Sequence, residues 1–376
     1  MKQSELCLIY NIAPRYREGI YRLIDSEYPC HWYFGRNNTD IKGLDYSVLR
    51  NVTELDVVDF RFKTLSWQKG VTALLDRPEY DTFFIYGDVF SLSTWALLLK
   101  RRLRCPRKRI YVWAHGWYGK EAPVMKWLKK RFFRLVDGIF LYGNHARRLM
   151  INEGFDPAKL FVIHNSLAYD EHLKIRQTLR ESDIYRRHFG NDAPNLIFIG
   201  RLTPQKSLGL LVEAVKLLRQ KGVTVNLTFV GDGPERTGLE AAVAEAGIGK
   251  NVWSYGECYD EAVNAQLIYD ADICVSPGNV GLTAIHSMTF GTPVITHNNF
   301  PWQMPEFEAI TEGATGAFFD YGSPSSLACA IEKWLAENRD RRTEIRRACF
   351  AEIDSSWTPR FQLDVIRANL PFPAEG

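Results

Sequence analysis

The chain contains no apolar run approaching the roughly 20 residues that a membrane-spanning helix needs. Its opening stretch, "MKQSELCLIYNIAPRYREGIYRLI", has only a brief apolar core and no small-residue cleavage site after it, so no secretory leader is expected. The seven cysteines (Cys7, Cys30, Cys105, Cys258, Cys274, Cys329, Cys349) show no paired spacing, which speaks against a disulfide frame or a zinc site. They read as reduced thiols of a cytoplasmic protein. Internal repeats and low-complexity tracts are missing as well. So is a full dinucleotide fingerprint: "FVGDGPER" (229–236) supplies Gly231 and Gly233, but Arg236 stands where G-x-G-x-x-G needs its third glycine. One more absence is local. "SPGNVGLTAIHSMTFGTPVI" (276–295) has the outline of an anion-cradling loop, a helix and a strand, yet its only ionisable side chain is His286.

What is present is a chain of 376 residues, 46% hydrophobic and 24% charged, long enough for two globular domains. Short β-rich runs alternate with helical periodicity throughout. Strands are expected at 6–11, 83–87, 110–115, 138–143 and 161–165, then at 195–200, 225–231, 252–256, 272–277 and 293–297. Leu208, Leu211, Val212, Val215 and Leu218 follow the spacing of a helix with one buried face. Alternation of this kind predicts an α/β fold with two doubly wound parallel sheets. The expected domains are 1–168 and 169–352, with a polar linker near 166–192 and a C-terminal helix in 353–376 packing back on the first domain.

Ligands of open parallel sheets lie beyond the carboxyl ends of the strands, so the strand-to-helix loops carry the chemistry. In "FIGRLTPQKS" (198–207), Arg201 and Lys206 flank a turn after Gly200, beside a helix start. Fixed cations, free backbone N–H groups and a helix N-terminus together suit a diphosphate. The loop with Gly231 and Gly233, and the helix expected to open at Gly281, leave the same sheet edge. Asp270 and Asp272 of "DAD" sit where a helix gives way to a strand, and read as boundary groups rather than metal ligands.

Nearly all of residues 195–332 resembles, in the order and spacing of its motifs, the retaining nucleotide-sugar glycosyltransferases of the GT-B fold, glycosyltransferase family 4. "FIGRLTPQKSLGLLVEAV", "LTFVGDGPER" and "YDADICVSPGNVGLTAIHSMTFGTPVITHNNF" carry the resemblance, and "NIAPRYREGIYRLI", "YVWAHGWYG" and "VIHNSL" extend it more weakly. It implies that the C-terminal domain binds the donor, the N-terminal domain binds the acceptor, and reaction occurs in the cleft between them. It makes Arg201 and Lys206 the diphosphate contacts and His115 a residue near the donor sugar. Tyr16 and Arg17, with His115, fall on the acceptor side. Donor contacts are expected from Gly200, Gly231, Gly233, Gly278, Val280, Gly281, Leu282, Thr283 and His286, with Tyr255 or Cys258 bordering the base. The family carries two glutamates eight positions apart in the third loop; here those positions hold Gly278 and His286. His286 could meet ribose hydroxyls through a ring nitrogen, whereas Gly278 leaves a spot beside the donor sugar unfilled.

The implied reaction is front-face displacement with retention, in which the leaving diphosphate is stabilised electrostatically and takes the acceptor proton. It calls for no metal and no cofactor besides the nucleotide sugar. Two other classes are compatible with these motifs: a catalytically silent GT-B protein that binds glycan or membrane, and a GT-B nucleotide-sugar epimerase.

Residues 1–168 carry 27 Lys+Arg against 17 Asp+Glu, and the remainder 20 against 27. The surplus concentrates in 100–136, with 13 basic residues and one acid, Glu121. In "VMKWLKKRFFRLV", Met125, Leu128, Phe132 and Leu135 form an apolar stripe, Lys126, Lys129, Lys130 and Arg134 lie opposite, and Trp127 and Phe133 flank them. No nucleic-acid-binding module accompanies this run. A basic face with Trp and Phe suits an anionic membrane surface. A peripheral protein at the inner membrane face, extending a lipid-linked glycan in surface polysaccharide synthesis, is the expectation.

Overall fold

The computed structural model describes residues 4–37, 41–60 and 65–372. The chain divides into two compact units, the first of residues 1–168 and 359–376, the second of Tyr169–Thr358. Unit 1 holds β1 (Glu5–Tyr10), α1 (Glu18–Glu27), β2 (Cys30–Gly35), β3 (Val52–Leu55), the antiparallel pair β4 (Val57–Phe60) and β5 (Leu65–Gln68), and β6 (Tyr80–Tyr86). It continues with α2 (Leu92–Arg104), β7 (Arg109–Ala114), α3 (Pro123–Phe133), β8 (Gly138–Leu141), α4 (Asn144–Asn152) and β9 (Leu160–Val162). Unit 2 runs through α5 (Tyr169–Thr178), α6 (Ile184–Phe189), β10 (Asn195–Ile199), α7 (Leu208–Gln220), β11 (Asn226–Val230), α8 (Arg236–Glu245), β12 (Val252–Gly256) and α9 (Glu261–Asp270). It ends with β13 (Ile273–Val275), α10 (Leu282–Thr289), β14 (Val294–His297), β15 (Gly316–Phe319), α11 (Pro324–Asn338) and α12 (Arg342–Ser356); α13 (Pro359–Asn369) returns to unit 1.

Both main sheets are parallel, ordered β3-β2-β1-β6-β7-β8-β9 and β12-β11-β10-β13-β14-β15. The strand order reverses between β1 and β6 in the first and between β10 and β13 in the second. These switch points are where crossover helices diverge to opposite faces and leave a crevice at the strand ends.

The first sheet is buried on both faces, which is why its strands read as unbroken apolar runs. Cys7, Ile9, Phe83, Ile85, Val112 and Ile139 point to one face, under α2, α3 and α4. Leu8, Tyr10, Phe34, Phe84, Trp113 and Phe140 point to the other, an aromatic layer closed by Ile20, Tyr21 and Ile24 of α1 and Leu363 and Ile366 of α13. Ring pairs such as Phe84–Trp113, stacked at 5.9 Å, fill that layer. Gln362 fastens α13 with bonds to Ser166 Oγ at 2.6 Å and from its amide to His164 O at 3.0 Å.

Several expectations change. Most of the stretch expected as a linker is helical: α5 and α6 of unit 2 lie within 169–189, anchored by buried His172 and Tyr185 rather than by an aliphatic stripe. Residues 353–356, grouped with the tail by sequence, complete α12. Strands β2, β3, β4, β5 and β15 join the ten expected from sequence. In α7 the five periodic residues Leu208, Leu211, Val212, Val215 and Leu218 are all buried. No helix among the described residues is long and apolar enough to cross a membrane.

Candidate functional site

Three loops leave the carboxyl edge of the second sheet around its switch point, and their glycines explain how they fit together. A Cβ on Gly231 (φ +135°) would stand 2.0 Å from Gly200 O, and one on Gly233 2.3 Å from Leu202 O. These glycines therefore let one loop's backbone pack on another's. The layer is stitched by Gly200 N–H to Val230 O (3.0 Å), Leu202 N–H to Asp232 O (2.9 Å) and Gly231 N–H to Gly256 O (2.7 Å).

Arg201 stands exposed just after β10. Lys206, at the end of the 204–206 turn, donates from Nζ to Asn279 O at 2.7 Å and to Asn279 Oδ1 at 3.1 Å. Burial pushes its ammonium down to about 8, with the nearby Glu306 carboxylate opposing. At neutral pH it is still a cation, and an anion beside it would return its affinity for the proton. A Cβ on Gly281 (φ +55°) would lie 3.9 Å from this Nζ, which fixes the ammonium beside the N-terminus of α10. The first-turn N–H groups of Leu282 and Thr283 have no intrahelical acceptor and carry the positive end of the helix dipole. The Thr283 hydroxyl does not join them, because it donates to Ile199 O at 3.1 Å.

Two expected donor contacts are otherwise engaged. The Val280 N–H is taken by Gln303 Oε1 at 2.8 Å, and Val280 is fully buried. The Gln303 amide donates in turn to Thr296 Oγ1 (2.8 Å) and His297 O (3.0 Å). Gly278 is not beside an unfilled spot. Its N–H donates to Lys206 O at 2.9 Å, and a Cβ there would meet Gln205 O at 2.0 Å and Lys206 C at 2.7 Å. The position is closed by backbone, so a glutamate cannot stand there in this loop conformation.

Within β12, Tyr255 packs on Trp253 with ring centroids 5.0 Å apart, and beyond the strand Cys258 Sγ lies 3.6 Å from Asp260 O. Asp260 caps α9 by accepting from Ala262 N and Val263 N, and this sets Glu261 at the first helical position. Glu261 Oε1 lies 2.6 Å from His286 Nε2 and 3.3 Å from His172 Nε2. The ring nitrogen expected to meet ribose is therefore paired to a carboxylate. Glu261, His172 and Gln303 were not found from sequence: they lie 25, 114 and 17 positions from His286 (261, 172 and 303 against 286), and no motif spacing links them. Asp270 and Asp272 tie chain segments together, the first through Ser182 and Gln266, the second through Asn195 N–H and Arg342.

In unit 1 the same kind of edge gathers Tyr16, Tyr86, His115 and Tyr142. Arg17 is placed differently from expectation. It is buried at 7% exposure, lies over the Trp113 ring at 4.9 Å, and bonds the Tyr142 hydroxyl, so it braces the aromatic layer rather than facing a ligand. The His115 ring sits 4.5 Å from that of Tyr142, and its Nδ1 has no hydrogen-bond partner among the described residues. Burial, with Arg17 and Lys129 adding to it, pushes His115 down to about 4, so the ring is neutral near pH 7. Gly116 (φ +69°) is packed under Leu141 and Met150. At the β1/β6 switch point lies a cavity of about 260 Å³ lined by Asn11, Asp59, Gln68, Tyr86, Asp88 and Ser91, among others. Burial raises the Asp88 carboxyl above its usual range, against the Phe90 N–H bond that it accepts.

The basic run is less available than its sequence suggests. Lys129 pairs with Glu121 at 2.6 Å, and Lys126 and Lys130 pair with Glu153 at 3.0 and 2.7 Å. Phe133, expected at the flank of α3, is buried against Trp117 and Phe155, because the helix ends there and the chain turns inward. Arg102, Arg104, Arg107 and Arg131 are exposed, together with Leu99, Leu103, Val124 and Trp127.

Residues 180–349 match the family Glycosyl transferases group 1, and the fold is GT-B. Among individual proteins, it is 24% identical over 227 residues to the alpha-D-kanosaminyltransferase of Streptomyces kanamyceticus, a match covering 59% of this chain. That match spans 58% of the kanosaminyltransferase's own length. The crystal structure of Anabaena Alr3699/HepE in complex with UDP superposes with a TM-score of 0.73 at 14% identity, covering 97% of this chain and 99% of that one. The apo lipopolysaccharide outer core galactosyltransferase WaaB gives 0.72 at 14% identity, covering 97% and 100%.

Proposed function

We propose that this protein is a glycosyltransferase that moves a sugar from a UDP- or GDP-sugar to a hydroxyl of a glycan acceptor, with retention at the anomeric carbon and without a metal. The observation that carries this reading is the Lys206 ammonium held against the N-terminus of α10, with Arg201 on the adjoining loop and no carboxylate in the third loop to repel a diphosphate. The family match over the same residues and the UDP complex of a structural neighbour point the same way. In the step, the bond from the anomeric carbon to the diphosphate oxygen breaks, the acceptor oxygen bonds to that carbon, and the acceptor proton passes to the departing phosphate. Lys206, Arg201 and the α10 N–H groups stabilise the charge that develops. Neutral His115 orients a hydroxyl by hydrogen bonding, and the Glu261–His286 pair meets the ribose in place of a lone glutamate.

The polar cavity of unit 1, with Asp59, Asp88, Asn11 and Gln68, suits a hydroxyl-rich acceptor. Exposed Leu99, Leu103, Val124 and Trp127 among exposed arginines support attachment to an anionic membrane, where each cation contributes about 1 kcal/mol. A lipid-linked glycan at that surface is the acceptor class this favours, within surface polysaccharide synthesis.

The test is nucleotide release from a panel of UDP-, GDP- and dTDP-sugars, with and without a lipid-linked glycan acceptor. Acceptor-dependent release, lost in Lys206→Ala and Arg201→Ala, is expected. Release without acceptor and recovery of an isomerised sugar would make the protein an epimerase. Nucleotide binding with no turnover of any donor would make it a binding protein.

A further inference from the structure

Helices α5, α9 and α10 of unit 2 bring two imidazoles and a carboxylate to one point. His172 Nε2 and His286 Nε2 both face Glu261 Oε1, at 3.3 and 2.6 Å, and the three ligand atoms all lie within 4.8 Å of one another. Their surroundings are dry on one side. The His172 side chain is 9% exposed, and both imidazole rings lie against Phe290, with centroids 5.4 and 5.6 Å away. Burial and the neighbouring His286 push His172 down to about 4, so its ring is neutral and holds a lone pair at physiological pH. Burial opposes ionisation of Glu261, but the His286 bond and the two imidazoles outweigh it and hold the carboxyl below its usual range.

We propose that His172, Glu261 and His286 form a binding site for one divalent transition-metal ion of the zinc class. Two imidazole nitrogens and one carboxylate oxygen suit zinc, cobalt or nickel, whereas magnesium and calcium demand more oxygen ligands. Zinc-to-ligand distances of about 2.0–2.2 Å put tetrahedral ligand atoms roughly 3.3 Å apart. The Glu261–His172 spacing already has that value, and the Glu261–His286 hydrogen bond opens to reach it. The fourth position is left for water. The ion is not required for transfer. It displaces the proton through which His286 Nε2 bonds Glu261, that proton passing to solvent or to Nδ1, and takes the nitrogen on the second turn of the helix whose first turn faces the diphosphate, and so lowers nucleotide affinity. This second part rests on the donor-site reading above; the binding of the ion does not.

The experiment is calorimetric titration of Zn²⁺ into the chelator-treated, dialysed full chain without nucleotide, followed by visible spectroscopy with Co²⁺. One Zn²⁺ per chain is expected, with affinity lowered at least tenfold in His172→Ala, His286→Ala and Glu261→Gln, and unchanged in Cys258→Ser. Bound Co²⁺ should show visible bands that the His172→Ala protein lacks. Glu261→Gln keeps the side-chain shape, and circular dichroism of each variant separates a lost ligand from a lost fold. Absence of Zn²⁺ binding at 100-fold excess, or binding that survives all three substitutions, would overturn the site. UDP affinity is then compared with and without Zn²⁺. Zn²⁺ binding with unchanged UDP affinity would overturn only the antagonism, while failure of UDP to bind at all would count against the donor-site reading.

Discussion

Restoring the family's glutamate at position 278 should damage this protein rather than improve it. A Cβ there would lie 2.0 Å from Gln205 O and 2.7 Å from Lys206 C and Cα. Those atoms are backbone, so no side chain can rotate away, and the 204–206 turn has to move by more than an ångström to reach ordinary contact. Overpacking of this kind costs about 1–3 kcal/mol. Displacing the turn also strains the Gly278 N–H bond to Lys206 O, worth roughly 1 kcal/mol. The sum, about 2–4 kcal/mol, corresponds to a fall in Tm of roughly 4–16 °C for a unit of this size. The moving segment carries Lys206, so nucleotide affinity should fall with stability, and Gly278→Glu, which also adds a negative charge beside the proposed diphosphate site, should lose more than Gly278→Ala. Differential scanning fluorimetry and calorimetric titration with UDP and GDP read both effects. A Gly278→Ala protein melting within about 1 °C of the parent with unchanged affinity, or a Gly278→Glu protein with higher turnover, would refute the reasoning.

Lys206→Ala removes a charge-assisted contact of about 1.5–3 kcal/mol and should weaken nucleoside diphosphate binding about 10- to 100-fold, measured by titration. His115→Ala should lower turnover while leaving nucleotide affinity in place, because its ring lies in unit 1 and the loops proposed to hold the nucleotide lie in unit 2; a split between kcat and binding checks this. His297 is buried in β14 and burial pushes it down to about 4, against about 6.5 when free. The unfolded chain therefore takes up the proton first as pH falls, and stability is lost between about pH 6.5 and 4, by about 1–2 kcal/mol at pH 5. Urea midpoints across that range should show the decline, and His297→Gln should flatten it. Vesicle co-sedimentation should show salt-sensitive binding to anionic lipid that weakens in Arg102→Glu/Arg104→Glu. Reversal at Lys129 would instead break the buried pair with Glu121 and report on folding.

The sheet framework could be read from the chain because both sheets are covered on two faces: runs such as "NLIFIG" and "LTFVG" are nearly all apolar and end at glycines. β2, "CHWYFG", hid behind its polar histidine and the bulk of its aromatics, although its Trp32 and Phe34 are core. In the site, Lys206 and Gly281 were found because short-range turn and helix-start signals sit beside them. Gln303 was not, since what it does depends on meeting the Val280 N–H across β14, and nothing local records that. At Gly231 and Gly233 a missing Cβ shows that something comes close, and only the fold shows that the neighbouring loop does. Arg17 was misplaced for a similar reason, because an arginine in a strand-end loop looks solvent-facing until the tyrosines and Trp113 around it are assembled.

The return of α13 to unit 1 bears on how the protein is made. The aromatic face of the first sheet is closed by Leu363, Ile366 and Leu370, which leave the ribosome only after the whole of Tyr169–Thr358 has been synthesised. At about 5–20 residues per second that interval lasts roughly 10–40 s. During it the nascent first unit carries an unsealed apolar strip beside α1, a natural docking point for chaperones and the weakest moment for aggregation. Unit 2, contiguous in the chain, can fold while unit 1 waits. Halting synthesis before Pro359 should therefore yield a chain whose second half resists protease and whose first half does not.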